Sequence, residues 1–398
     1  MYQFLSFIGI FVFVLLAWLL SEDRKRFSWR IVVMGVVVQL LFALFILKTA
    51  PGEWIFDIVN RVFAKMMQFT DAGSEFVFGG LLKEWSFALK ILPTIIFFSS
   101  FFTVLYYFGI LQKVVKGFAF VFRYLFGTSG AESLSAAANI FIGQTEAPLM
   151  IRPYVESMTR SELMCVMSGG MATIAGGVMA AYVGMGVSAG HLMAASVMSA
   201  PAAIMFAKIM VPETGKPVTA GGGMIDIPIV DRNALEAAAR GASEGVFLAI
   251  NVAAMLLAFI AFVAFFNYFF GFAGVTMEQV LGWVMAPLAL CMGVPWDEAM
   301  QVGVFLGEKT ILNEFVAYAH LADGIKAGTS QLSERSVIIA TYALCGFANL
   351  GSIAIQIGGI GTMAPSRRGE IAALGIKSMI AGTLASFVTA NIAGMLIS

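Results

Sequence analysis

The chain has 398 residues, of which 60% are hydrophobic and only 12% are charged. A soluble protein carries about a quarter charged residues, so this composition excludes an ordinary soluble domain and indicates a polytopic membrane protein. The formal net charge is zero, so no basic surface points to nucleic acid. His191 and His320 are far apart, and the three cysteines fit no metal-binding spacing, which argues against a metal centre built from these residues.

The first span, 2–20, is followed by a short loop that holds Arg24, Lys25, Arg26 and Arg30. The positive-inside rule places this loop in the cytoplasm and the N-terminus outside. No basic residue precedes the span, so we interpret it as a retained helix rather than a signal peptide.

Further apolar stretches follow along the chain. Together with the first, six have the length of ordinary membrane spans: 2–20, 31–50, 86–111, 188–211, 245–272 and 378–397. Two others, 163–186 and 335–360, are apolar but rich in glycine and small polar residues. The sequence therefore predicts an all-α polytopic membrane protein with about eight transmembrane helices.

Three segments between the spans are amphipathic or polar. Residues 53–83 and 112–126 mix aromatic and charged side chains, which is typical of helices that lie at the membrane interface. Residues 213–244 form the most polar segment, and we interpret them as a linker followed by a surface helix.

A duplicated pattern runs through the two halves. "FIGQT" (141–145) has a counterpart in "FLGEK" (305–309), and each is soon followed by a glutamate, Glu146 or Glu314. A polar turn and a glycine-rich span come next in both copies. An odd number of spans separates the copies, so we expect them to insert with opposite orientation, as in transporters built from inverted repeats.

The stretch "SAAANIFIGQTEAPLMIRPY" (135–154) has apolar arms too short to cross the membrane. Polar residues from Asn139 to Glu146 interrupt it, and Pro148 breaks helical pairing. These features predict a re-entrant hairpin, which is tolerated only where protein or a water-filled cavity satisfies its backbone.

The buried glutamates are the first candidates for a functional site, because an acid at a helix centre costs about 2.5–3.5 kcal/mol in a membrane. The alternative is that they lie at the headgroup level. Glu314 follows Asn313, and its carboxylate could accept two hydroxyl hydrogen bonds at once, which suits a ribose diol.

The glycine-rich spans add further candidates. Oxygen atoms of Asn139 and Thr173, with local carbonyls, could bind Na⁺. Phe347 could cover a planar base or simply pack in the core. Asn349 and Ser352 share a helix face, and either an interhelix hydrogen bond or a ligand contact is open to them.

The motifs "GQTEAP" (143–148), "NEFVAY" (313–318) and "GFANLGSIAI" (346–355) closely resemble the concentrative nucleoside transporter family, with the length of its bacterial members. The resemblance implies a homotrimer in the lipid bilayer of the cell inner membrane. It also implies two hairpins of opposite orientation and an elevator-type movement of a transport domain against a scaffold domain. A transporter, not an enzyme, is expected, with no organic cofactor and no nucleic-acid partner.

The resemblance also implies a division of the chain into domains. The scaffold would hold most of 1–111 and the span 245–272, and 213–244 would be the linker. The first transport repeat would be 112–212, with hairpin 1 at about 131–158. The second would be 273–398, with hairpin 2 at about 281–320 and the spans 335–360 and 378–397.

Site residues follow from the resemblance position by position. Those expected to face the nucleobase are Gln144, Thr145 and Glu146, with Val178 and Phe347 nearby. Those expected to hold the ribose are Glu314, Asn349 and Ser352. A sodium site would fall on Asn139, Thr173 and the carbonyl oxygens of Ile142 and Ile174.

The leading hypothesis is therefore import of nucleosides in symport with Na⁺. A proton-coupled symporter that titrates Glu146 or Glu314 is the main alternative. Interrupted half-helices also build ion-channel filters, which gives a third hypothesis. A membrane enzyme acting on lipid-linked nucleotides is a fourth, since paired acids could serve it, but no nucleophile or metal arrangement supports it.

Overall fold

The structure is a computed structural model that describes residues 1–83, 86–221, 231–327 and 332–397. The regular elements within these ranges are all helical, which confirms the predicted fold class. The first half contains α1 (Tyr2–Leu19), α2 (Trp29–Lys48), α3 (Ala50–Phe78), α4 (Ser86–Tyr107), α5 (Ile110–Phe126), α6 (Gly130–Ala138), α7 (Glu146–Leu149), α8 (Arg152–Val155), α9 (Arg160–Ala172), α10 (Gly176–Met185) and α11 (Ala189–Met210). The second half contains α12 (Ala234–Phe270), α13 (Met277–Cys291), α14 (Trp296–Ile311), α15 (Glu314–Lys326), α16 (Glu334–Leu344), α17 (Leu350–Met363) and α18 (Arg368–Leu396).

Within the described ranges, seven helical stretches are long and apolar enough to cross a membrane, and they coincide with seven of the eight predicted spans. The eighth, 335–360, is divided into α16 and α17 by a non-helical break at 345–349. The span predicted at 163–186 is broken in the same way between α9 and α10. Both breaks leave helix-end amides and carbonyls without partners inside their own helix.

Two predicted boundaries differ from the structure. The surface helix expected at the end of 213–244 and the span 245–272 are one helix, α12, because no proline separates its alanine-rich start from its apolar part. Residues 222–230 of the predicted linker lie outside the described residues. The start predicted for hairpin 2, residue 281, falls inside α13, which lies at 118° to α14.

Helices α5–α11 and α13–α18 form two copies of one unit, each with a flanking helix, a hairpin, a broken span and a long helix. The copies are inverted, as contacts with the two ends of α1 show. Just beyond the C-terminal end of α1, Arg160 at the start of α9 pairs with Glu22 at 2.8 Å. Near the N-terminal end of α1, Arg335 at the start of α16 donates to Ser6 Oγ at 3.1 Å. The 18 residues of α1 span about 27 Å between these ends.

Glu22 lies in the loop after α1 and binds side chains of two other helices. It accepts hydrogen bonds from Arg160 at 2.8 Å and from Lys377 at 2.6 Å. The hydrogen bond from Arg160, followed by that from Lys377, lowers the pKa of the Glu22 carboxyl to about 2. The carboxylate is therefore ionised at physiological pH, and it ties α1 to the start of α9 and to α18.

Helices α4 and α12 cross closely at glycines. A β-carbon at Gly245 would lie 2.7 Å from the Cα atom of Ile96. Helix α4 also meets the first broken span at Gly177 of α10, where a β-carbon would lie 2.8 Å from Ser99 Oγ. Most of α12 remains exposed, which suits a helix that faces lipid or another subunit.

A close contact in the packing of α1 can be tested by substitution. A β-carbon at Gly9 would lie 1.9 Å from the carbonyl oxygen of Cys291 and 2.6 Å from Asn391 Nδ2. We therefore expect Gly9→Ala to destabilise the fold by about 1–3 kcal/mol through overpacking. The control is Gly73→Ala in α3, where a β-carbon meets nothing within 4 Å and alanine should stabilise the helix by about 0.5–1 kcal/mol. Thermal unfolding in detergent measures both, and equal melting temperatures would contradict the close packing.

Candidate functional site

Hairpin 1 consists of α6, a turn through residues 139–145, and the short helices α7 and α8. A β-carbon at Gly143 would lie 2.1 Å from Glu146 Oε2, so a larger residue there would require the Glu146 carboxylate to move. The Glu146 carboxylate therefore lies directly against the backbone of the turn. At the base of the hairpin, Ser129 and Glu132 form a capping box that fixes the start of α6.

Hairpin 2 consists of α14 and α15, joined by Leu312 and Asn313. Asn313 Oδ1 accepts a hydrogen bond from the amide of Val316 at 3.0 Å and so starts α15 as its N-cap. This cap places Glu314 in the first turn of α15, with only 5% of its surface exposed. A negative charge is stabilised at that end of a helix by the helix dipole.

A cavity of about 140 Å³ lies where the two hairpin tips meet the two broken spans and α12. All eight residues predicted to bind substrate line it: Gln144, Thr145, Glu146, Val178, Glu314, Phe347, Asn349 and Ser352. The structure thus brings together residues that are up to about two hundred positions apart in the sequence. Leu248, Val252 and Met255 of α12 form an apolar wall on one side.

Glu314 is held by two hydrogen bonds inside this cavity. Tyr182 OH donates to Oε1 at 2.9 Å, and Asn349 Nδ2 donates to Oε2 at 2.9 Å. Asn349 Oδ1 also accepts from the amide of Ser352 at 2.8 Å and caps α17. Each carboxylate oxygen keeps a further lone pair, so Glu314 can still accept hydrogen bonds from a ligand.

Gln144 is fixed by the second broken span. Its Nε2 donates to Ser352 Oγ at 3.1 Å, and its Oε1 accepts from Gln356 Nε2 at 3.1 Å. Gln356 is fully buried and also donates to the carbonyl oxygen of Met167 at 2.9 Å. These bonds set the orientation of the Gln144 amide at the cavity wall.

The sequence analysis missed Tyr182 and Gln356 as members of the site. Gln356 could have been predicted from the sequence, because a primary amide in an apolar transmembrane helix needs a hydrogen-bond partner. No feature of the sequence predicts Tyr182, since its hydroxyl reaches Glu314 only through the packing of α10 against α15.

Glu146 differs from Glu314 in its exposure. It borders the central cavity and also a neighbouring one of about 230 Å³, which Arg240 and Glu244 of α12 line at its other side. The side chain is exposed to these two cavities, whereas Glu314 is buried. Glu146 therefore lies between the two cavities.

Two of the predicted cation ligands, Asn139 and Thr173, lie near Gly169 beside the first break. Asn139 is fully buried, and its Oδ1 accepts no hydrogen bond from any residue that the structure describes. Its Nδ2 donates to the carbonyl oxygen of Ser135 at 2.9 Å, which leaves Oδ1 as the free atom. Thr173 Oγ1 donates to the carbonyl oxygen of Gly169 at 2.9 Å and keeps its own lone pairs.

The hairpin tip is bonded directly to this break, since the amide of Gly176 donates to the carbonyl oxygen of Phe141 at 3.0 Å. Ile142 and Ile174 flank the same junction in the sequence. A buried amide oxygen without a partner, beside a hydroxyl and helix-end carbonyls, is a donor set that suits a hard cation such as Na⁺. The residues present therefore fit the ion.

Family models match nearly the whole chain. The model "Na+ dependent nucleoside transporter N-terminus" matches residues 8–81, and the corresponding C-terminus model matches 191–394. A third, "Gate: Nucleoside recognition", matches 88–189.

Similar proteins come from bacteria and animals. An uncharacterized transporter of Haemophilus influenzae is 45% identical, and the alignment covers 98% of this chain and 97% of that protein. The transporter YutK of Bacillus subtilis is 42% identical, with 98% of both chains covered. Human solute carrier family 28 member 3 is 42% identical over 100% of this chain, which spans only 60% of the human protein's length.

Solved structures agree with these matches. CNTnw in an inward-facing substrate-bound state is 42% identical, with a TM-score of 0.93 over 100% of this chain and 98% of that one. A double variant of CNTnw in an outward-facing state has a TM-score of 0.94 over 100% of this chain and 99% of that one, again at 42% identity. The resemblance seen in the sequence motifs is confirmed, and the chain belongs to the family of Na⁺-dependent, concentrative nucleoside transporters.

Proposed function

We propose that this protein imports nucleosides across the cell inner membrane in symport with Na⁺. The observation that carries the proposal is the single cavity between the hairpin tips, lined by the carboxylates of Glu146 and Glu314 and by the Gln144 amide. Family membership supports a transporter rather than an enzyme.

The cavity has one side suited to each part of a nucleoside. Glu314, Asn349 and Ser352 would hold the ribose, because a carboxylate that is already oriented by two donors can accept hydrogen bonds from neighbouring hydroxyls. Gln144, Thr145 and Glu146 would face the nucleobase. Val178 and Phe347, near the breaks in the two spans, would pack against the base.

Na⁺ would be held by Asn139 Oδ1, Thr173 Oγ1 and the carbonyl oxygens of Ile142 and Ile174, and it would supply the driving force for import. A positive charge that moves inward gains about 2.3 kcal/mol per 100 mV. The bond between Phe141 and Gly176 joins this site to the hairpin that carries Gln144 and Glu146. That connection supports coupling between the ion and the substrate.

We further propose an elevator-type movement within a homotrimer. The transport unit would comprise 112–212 and 273–398, and the scaffold would comprise most of 1–111 with the membrane part of α12. The exposed face of α12 supports a surface that other subunits cover. The basic loop after α1 supports a cytoplasmic location for that loop and an N-terminus outside.

Uptake of radiolabelled uridine into proteoliposomes tests the proposed function. We expect saturable uptake that accumulates uridine when Na⁺ is outside, and none when choline replaces Na⁺, because the ion gradient supplies the energy. The control is a liposome without protein. Uptake that follows a pH gradient and ignores Na⁺ would reject sodium coupling in favour of protons, and conductance without saturable uptake would indicate a channel.

Asn139→Ala tests the ion site. Removing the free buried oxygen should raise the Na⁺ concentration for half-maximal uptake by about tenfold or more, as the loss of a contact to a charge would. Asn391→Ala is the control, because Asn391 is equally buried and its amide is also without a described partner, but it packs near Gly9. An unchanged sodium dependence in Asn139→Ala would reject its role as a ligand.

Tyr182→Phe tests the orientation of Glu314. Loss of the hydroxyl removes one hydrogen bond to a buried carboxylate, so we expect the KM for uridine to rise by about tenfold. Tyr318→Phe is the matched control: Tyr318 packs against Tyr182 with ring centroids 4.5 Å apart, but its hydroxyl donates to the carbonyl oxygen of Thr341. Equal KM values in the two variants would show that the Tyr182 hydroxyl does not position the carboxylate.

A further inference from the structure

Lys309 is a buried cation that the proposed mechanism does not use. It lies in α14 of hairpin 2, and only 1% of its surface is exposed. Its Nζ donates to the carbonyl oxygen of Ala343 at 2.8 Å and to Ser386 Oγ at 3.3 Å. Both partners are neutral oxygens, so its charge is stabilised by dipoles rather than by an adjacent carboxylate.

The neighbouring Glu308 does not neutralise Lys309. Its Oε1 lies 2.7 Å from Nδ1 of His320 in α15, on the other side of the hairpin. Glu308 and Lys309 are adjacent in α14, but their opposite charges thus face different partners. Glu314 follows in the same hairpin, in the first turn of α15.

The oxygens around Lys309 belong to the break in the second broken span. Ala343 is in the last turn of α16, and the helix ends at the extended residue Cys345. Ser386 of α18 donates to the carbonyl oxygen of Cys345 at 2.8 Å. The ammonium therefore lies at the carbonyl end of a helix, where the dipole favours a positive charge.

The first repeat has the same junction. There α9 ends at the extended residue Thr173, whose hydroxyl donates to the carbonyl oxygen of Gly169, and the Asn139 amide of hairpin 1 lies near Gly169. Thr173 and Cys345 are the C-caps of the corresponding half-helices. The difference is chemical: the first junction presents a free acceptor oxygen, and the second is occupied by an ammonium.

We propose that Lys309 is a tethered cation that occupies the break in the second span, as Na⁺ would occupy the break in the first. Carbonyl and hydroxyl oxygens can satisfy either an ammonium or Na⁺. Because the ammonium is covalently attached, it steadies hairpin 2 and Glu314 without being released, and a single mobile cation accompanies each nucleoside. This inference rests on the proposed transport function and adds a positioning residue to it.

The test is the charge moved per uridine in proteoliposomes, obtained from current and radiolabel flux in the same preparation. Uridine is neutral, so the charge reports the coupling ions alone. The wild type should move about one charge per uridine. In Lys309→Gln, the vacated oxygens should take up a second mobile cation, so the ratio should rise to about two and the Hill coefficient for the coupling ion should rise with it.

Two further variants separate this role from a structural one. Lys309→Arg keeps a fixed cation and should keep the wild-type ratio. Glu308→Gln removes a buried charge from the adjacent position, away from the break, and should also keep it. A structural role alone would reduce transport rate or protein yield in Lys309→Gln without changing the ratio.

A ratio near one in active Lys309→Gln would overturn the proposal. If Lys309→Gln does not reach the membrane, the charge-to-uridine ratio of the wild type still tests the proposal. Two or more charges per uridine in the wild type would mean that no fixed cation replaces a mobile one. The ratio does not depend on which ion is coupled, so a failure of sodium coupling appears separately in the choline experiment.

Discussion

The buried carboxylate of Glu314 is the constraint around which the structure is arranged. A charge at membrane depth is tolerated only when protein donors replace water. Here the donors come from both repeats, Tyr182 from the first broken span and Asn349 from the second. The hydrogen bonds that make the charge tolerable therefore also hold the two inverted halves together at the cavity.

The breaks in the two spans follow from the same requirement. A continuous helix satisfies its own backbone and offers nothing to a ligand, whereas a broken one leaves amides and carbonyls that need partners. Asn349 meets that need by capping α17, and at the second break Lys309 binds a carbonyl of α16. At the first break, Asn139 contributes an oxygen that is still free. Polar residues at the breaks thus serve both folding and binding.

Much of this arrangement was readable from the sequence. The apolar stretches predicted seven of the spans, and the paired "FIGQT" and "FLGEK" segments predicted the inverted hairpins. Every residue predicted to bind substrate lines the one cavity. The positions of the breaks could be predicted because polar residues are costly in a membrane, so those that are present mark the places where the helices are interrupted.

The chain alone determined which residues are polar at membrane depth and in what order they occur. Only the tertiary structure decided their partners: that Tyr182 supports Glu314, that Gln356 orients Gln144, and that Glu308 and Lys309 face different neighbours. It also decided that α12 runs unbroken from Ala234. The physical reason is that hydropathy is a property of each segment by itself, whereas a hydrogen bond between distant segments exists only once the helices have packed.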